Sequence, residues 1–229
     1  MRIATWNCQM AFARKSNDFF LTQPDIALIQ ECSAKDAEAV SSQGYSSLWF
    51  GSNTSKGIAV FYRAGWELRS IAQPDHKWIV GIEVNGPEVF TLIAVWSWIE
   101  VSNLQGYVSC VRGALSSHPE WFEHGPVVVA GDFNSNCRGE TFTKGGHATL
   151  VTELEQRGLV SGYHTYRSEK QGSETKPTFH LYRHLDKPFH IDYIFVPSGW
   201  ADRITNCEVG RPEQWTSYSD HCPLVIDIA

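Results

Sequence analysis

PVVVAGDFNSN (126–136) is an apolar, β-branched run of strand length that passes without a break into Asp132 and Asn134. A run with no polar alternation reads as a strand buried on both faces of a covered sheet. A carboxylate and a carboxamide at its end then need partners or a task, because burying unpaired polar groups is costly. The same pattern recurs along the chain. RIATW (2–6) runs into Asn7, DIALIQ (25–30) runs into Glu31, HIDYIFVP (190–197) carries Asp192 inside an apolar strand, and Asp220 and His221 directly precede PLVIDI (223–228).

Three further runs, GIAVFYR (57–63), WIVGIEV (78–84) and VFTLIAVW (89–96), complete a set of eight expected strands. Helical spacing occurs in between, at Leu104, Tyr107, Val108, Val111 and Leu115, and at Leu150, Val151 and Leu154 ahead of Gly158. AKDAEAVSSQG (34–44) is a third helical candidate. The polar stretches 135–146 and 166–188 read as loops. Strands outnumber helices, so a simple alternating parallel-sheet enzyme is not expected.

The bulk numbers agree with a folded α/β chain. With 229 residues, 42% hydrophobic, 13% aromatic and 19% charged, one domain spanning 1–229 is expected. A net charge of -6 removes any overall basic field, which argues against tight, metal-independent binding of duplex DNA. MRIATWNC leads straight into a strand pattern without a leader, and no run is long enough to cross a membrane. The expectation is a cytoplasmic protein with no membrane contact and no inferable protein partner. The six cysteines form no CxxC pair or zinc spacing and are expected to be reduced, packed thiols.

Singly, each polar strand end has a structural reading. Asn7 and Asn134 suit turns, Glu31 a helix cap, Asp132 an Asx turn and His221 a satisfied core histidine. Five together suggest a shared site. Glu31 and nearby aspartates are hard oxygen ligands suited to Mg²⁺, with Mn²⁺ as a substitute. Another Asp can deprotonate a water, while carboxamides and an imidazole donate to phosphoryl oxygens. Metal-assisted phosphoester hydrolysis uses that combination. No GxSxG elbow, P-loop, HExxH or dinucleotide fingerprint competes with it.

TWN (5–7), QE (30–31), GIAVFYR (57–63), GDFNSN (131–136), HIDYIF (190–195) and SDHCPL (219–224) together resemble the ordered motif set of the endonuclease/exonuclease/phosphatase superfamily. The resemblance implies a four-layer α/β sandwich of the α+β type: two mixed β-sheets packed face to face, with helices outside and the active site at one edge. It implies Glu31 as the main Mg²⁺ ligand, helped by Asn7 and Asp220. Asp132 would be the base, Asn134 would hold the phosphate, and His221, oriented by Asp192, would stabilise phosphoryl charge. The substrate would be a phosphoester, with DNA or RNA among the candidates and a small phosphorylated metabolite as the alternative.

One departure stands out. Where nucleases of the superfamily usually carry a His or Tyr after the strand VFTLIAV, this chain has Trp96, Ser97 and Trp98. Leaving-group protonation would fall to a metal-bound water, Tyr107, His180 or His184. Trp96 and Trp98 suit either core packing or a stacking platform for a planar group. Arg138, Lys144, Lys170, Lys176 and Arg183 could form a basic rim or simply face solvent.

Overall fold

Alternation along the central strands supplies two apolar faces, so each sheet must be covered twice. The computed structural model describes residues 1–41, 44–71, 78–98, 104–138 and 145–229. The first sheet comprises β1 (Arg2–Asn7), β2 (Ile26–Cys32), β3 (Tyr45–Asn53), β4 (Lys56–Arg63), β13 (Ile204–Val209) and β14 (Leu224–Ile228), in the order β13-β14-β1-β2-β4-β3. The second comprises β5 (Glu67–Ser70), β6 (Ile79–Asn85), β7 (Phe90–Trp96), β8 (Val127–Asp132), β9 (Leu159–Ser161) and β12 (Asp192–Pro197), in the order β5-β6-β7-β8-β12-β9. β1 with β2 and β7 with β8 are parallel pairs among antiparallel neighbours, so both sheets are mixed.

Period-two patterning assigns each residue its layer. Ile3, Ile26, Leu28, Leu92, Ala94, Val128, Ala130, Ile194 and Val196 fill the space between the sheets. Their neighbours Ala4, Trp6, Ala27 and Ile29 face the other way, against Phe19, Val40 and Trp215 of α1 (Ser16–Phe20), α2 (Ala34–Ser41) and α6 (Pro212–Trp215). On the second sheet Val127, Val129, Tyr193 and Phe195 pack outward against Val108, Val111, Leu150 and Leu154 of α3 (Leu104–Ser117) and α4 (His147–Gln156). Helix, sheet, sheet, helix is the expected four-layer sandwich.

All eight expected strands form, and each expected helix position lies on a helix. β3, β5, β9 and β13 lack long apolar runs because they close the edges of the sheets, where one side faces solvent. The stretch 166–188 is not wholly loop. It begins in α5 (Gly162–Arg167) and ends in a ribbon of β10 (Phe179–His180) with β11 (Pro188–Phe189). Residues 42–43 of the third helical candidate and residues 139–144 of the first loop, Lys144 among them, lie outside the described residues. All six cysteines are free thiols. Among the described residues, no helix is long and apolar enough to cross a membrane.

Candidate active site

Strand parity brings the polar ends together. Asn7 continues the inward series Ile3, Thr5; Asp132 continues Val128, Ala130; Asp192 begins the series Ile194, Val196. All three therefore point into the gap between the sheets, at one end of the core. Register places Asn7 beside Gln30 and Asp132 between Trp96 and Asp192. The Asn7 Nδ2 group then bridges the two sheets, donating to Asp132 Oδ2 at 3.0 Å.

Glu31 has the wrong parity for this face, since Ala27 and Ile29 point outward. A β-bulge corrects it. Gln30 and Cys32 pair with Ile58 and Gly57, leaving Glu31 as the extra residue, at φ 58°. Cys32 resumes the outward face, and the Glu31 carboxylate reaches Asn7 Nδ2 at 3.4 Å. Its second oxygen pairs with Lys56 Nζ at 2.7 Å.

Asp132 is held just as closely. Gly131 has φ 141°, and a Cβ there would lie 1.8 Å from the Val95 carbonyl oxygen, so only glycine fits before the aspartate. Beyond it, Asn134 turns back at φ 49°, its backbone N–H donating to Asp132 Oδ1 at 2.9 Å. Its carboxamide donates to the Ser97 carbonyl at 2.9 Å and to Asp132 Oδ2 at 3.2 Å.

His221 enters from the loop before β14. Its Nδ1–H donates to Asp192 Oδ2 at 2.9 Å, which leaves Nε2 facing Asp132 Oδ2 at 3.9 Å. The Phe179 ring lies 4.7 Å from the imidazole. The Asp192 backbone N–H donates to Thr178 Oγ1, and the Cys222 N–H to the Thr178 carbonyl, so one residue ties both halves of the pair together. Burial alone would keep His221 neutral, but the charges of Asp192 and Asp132 outweigh it and hold the ring protonated well above the usual histidine range. Burial pushes Asp132 upward, opposed by the charge of His221, so this carboxylate is primed to accept a proton.

The donor set fits a divalent cation. Carboxylate oxygens of Asp132 and Asp192 lie within 4.8 Å of one another and of the His221 imidazole, which as a protonated donor is not itself a ligand, and Asp192 Oδ1 is buried without a hydrogen-bond partner among the described residues. Glu31 joins that group through Asn7. Oxygen-rich ligands of this kind suit hard cations.

Three expected residues sit differently. Trp96 is 2% exposed in the core between the sheets, packed 5.0 Å from Trp78, so it offers no face for stacking; Trp98, 44% exposed, does. His180 is buried; its backbone N–H donates to the Asp220 carbonyl at 2.7 Å, and neither imidazole nitrogen has a hydrogen-bond partner among the described residues. Asp220's side chain contacts Ser219 at 3.4 Å, and no described hydrogen bond joins it to Glu31 or Asn7. Tyr107 is half-buried. Burial and the nearby Asp132 charge both raise its phenol pKa, so it stays a donor at neutral pH. His184, Lys170 and Lys176 are exposed, while Arg183 is committed to the carbonyls of Ser217 and Tyr218 and to Gln9 Oε1. Arg138 donates to the Pro188 carbonyl.

Sequence reading missed Lys56, Thr178, Phe179 and Ser219. Ser219 lay inside the quoted SDHCPL, and its Oγ donates to the Asn7 carbonyl at 2.7 Å while accepting the His221 N–H at 3.0 Å. Lys56 gave no signal, being one cation in a polar hairpin. Here it stands 5.9 Å from the exposed Trp98 ring.

The sequence model of the Endonuclease/Exonuclease/phosphatase family matches residues 4–221. A comparison with curated protein sequences returned no match. Among solved structures, the chain is similar to a 3'-5' exonuclease, NExo, from Neisseria meningitidis, at 22% identity and TM-score 0.73, covering 100% of this chain and 99% of that one. It is similar to an AP endonuclease from Archaeoglobus fulgidus, at 18% identity and TM-score 0.74, covering 100% and 99%. It is also similar to the AP endonuclease LMAP from Leishmania major, at 16% identity and TM-score 0.73, covering 99% and 87%. At these identities the likeness establishes the shared sandwich.

Proposed function

Because the chain belongs to the endonuclease/exonuclease/phosphatase family, we propose that it is a Mg²⁺-dependent phosphodiesterase acting on nucleic acid or a nucleotide-like diester. The observation that carries this reading is the line Asp192, His221, Asp132, with Nδ1 anchored at 2.9 Å and Nε2 free to face a substrate oxygen beside Asp132. Asp132 Oδ2 accepts the proton of the attacking water. His221 Nε2–H donates to a non-bridging phosphoryl oxygen as charge builds there, and the Asn134 carboxamide fixes the phosphate. Glu31, Asn7 and the adjacent aspartates would hold Mg²⁺ or Mn²⁺, which when bound supplies charge neutralisation and a more acidic water. Tyr107, kept protonated by burial and the Asp132 charge, would donate toward the leaving group. Exposed Trp98 beside Lys56 offers a stacking face next to a cation, which favours a nucleotide over a simple alkyl phosphate.

The net charge of -6 favours a second reading, a phosphomonoesterase on a small phosphorylated metabolite. One panel separates the two. Wild type and Glu31→Ala are assayed on abasic-site duplex, single-stranded oligonucleotide, a bis-aryl phosphate and an aryl phosphate monoester, with Mg²⁺, Mn²⁺ or chelator. Diester cleavage lost with chelator and with the variant is the expected result. Turnover of the monoester alone would replace the first reading with the second.

A further inference from the structure

Asn7 and His221 each border a loop, residues 8–11 and 216–220, and neither loop is held by regular structure. The first is unusual. Gln9, Met10 and Ala11 are consecutive non-glycine residues at φ 50°, 68° and 50°, a left-handed run that L-residues avoid. Something outside the loop must hold it.

The side chain that reaches most of it is Lys15. Lys15 Nζ donates to the carbonyls of Cys8 at 2.6 Å, Met10 at 2.8 Å and Tyr218 at 2.7 Å, with the Gln9 carbonyl at 3.4 Å. An ammonium has three protons, and three short contacts use them all. Among the described residues no carboxylate lies within ion-pair distance of it, so its charge is spent on backbone oxygens.

We infer that Lys15 is a positioning residue for the active site, a carbonyl clamp that sets the Asn7 loop and the His221 loop in mutual register. The inference rests on the function proposed above. Through the first loop, the Gln9 N–H donates to Asn7 Oδ1 at 3.1 Å, which turns Nδ2 toward Asp132 and Glu31. Through the second, Tyr218 leads into Ser219, whose hydroxyl links the Asn7 carbonyl to the His221 N–H. Arg183 reinforces the same junction from the ribbon, bonding Gln9 Oε1 and the carbonyls of Ser217 and Tyr218. Lys15 therefore bonds only backbone carbonyls and no side chain of the proposed site, yet fixes the distance between the Asn7 amide and the His221 imidazole.

Lys15→Met removes the clamp, and Lys15→Gln keeps two N–H donors on a shorter, neutral stem. For each, backbone hydrogen exchange at Gln9 and His221 is compared with Val60 in β4, alongside kcat and KM for the best diester. The expected result is exchange at Gln9 and His221 faster by about 10-fold or more with Val60 unchanged. A fall in kcat of about 10- to 100-fold should accompany it with KM within about threefold, less in Lys15→Gln than in Lys15→Met. If Lys15→Met does not fold, Lys15→Gln alone decides. Unchanged protection at both amides, or exchange rising uniformly in step with global stability, would overturn the inference. Should the wild type hydrolyse no phosphoester, the functional reading falls and the exchange pattern still judges the clamp.

Discussion

The two faces of β12 carry histidines with opposite fates. On the inner face, Asp192 grips His221. On the outer face, the Tyr193 ring lies among His147 at 4.7 Å, His190 at 5.1 Å and His164 at 6.3 Å. His190 donates its Nδ1–H to the Lys176 carbonyl at 2.9 Å, and His164 meets Glu174 at 3.0 Å, so this cluster ties the segment before the ribbon to the sheet. All are well packed, yet burial pushes His190 down to about 4 and His147 down to about 3, while His221 goes up. Burial by itself makes an imidazole neutral; at His221 the charges of Asp192 and Asp132 overcome it and make the ring a cation. The difference between His190 and His221 lies in the neighbouring acids.

The largest effect should come from removing the acid that faces His221 Nε2. Asp132→Asn keeps shape and loses the proposed base, so kcat should fall by ~10²- to 10⁴-fold while the circular-dichroism melt stays close to wild type. Near-normal turnover in that variant would remove Asp132 from its role. Next, Asp192→Asn should cost about 10- to 100-fold in kcat by releasing the orientation of His221. The counterpart on the outer face, His190→Gln, should leave kcat within about twofold and lower the melting temperature instead. Equal losses of kcat from both would erase the contrast.

The smallest effect is in pH dependence, and its sign differs between the faces. His190 has a folded value of about 4 against about 6.5 unfolded, so the unfolded chain takes the proton first. Stability is then complete above about pH 6.5 and falls as the pH drops toward 4, with His190 contributing a loss of about 2 kcal/mol between about pH 7 and 5. Urea unfolding at those two pH values should show a smaller difference in His190→Phe than in wild type; an equal difference would assign the acid sensitivity elsewhere. For metal-free His221, whose value is raised, the stabilisation is present below the unfolded value and fades as the pH climbs through the folded one.

Much of this was legible in one dimension. Asn7, Asp132 and Asp192 end or begin apolar runs, and period-two alternation alone sends them inward with their strands. The buried strands of both sheets could be read because burial on two faces demands apolar residues throughout, as in PVVVAG (126–131). The edge strands β3 and β13 escaped because one exposed side relaxes that demand.

Other features required the folded chain. Glu31 reaches the site only through a bulge at a left-handed residue, and strict alternation would have sent it outward. Trp96 belongs to the core and Trp98 to the surface, a distinction made by where β7 ends. Lys15 and Thr178 hold their neighbours through backbone atoms, and a carbonyl oxygen leaves no trace in a sequence. The sequence by itself determined the layers and the chemical inventory of one sandwich edge, because hydrophobic periodicity is a local property. Tertiary structure decided which polar groups meet, and so which histidine is charged, because electrostatics acts through distances in space between residues far apart along the chain, such as Ser219 and Asn7, 212 positions apart.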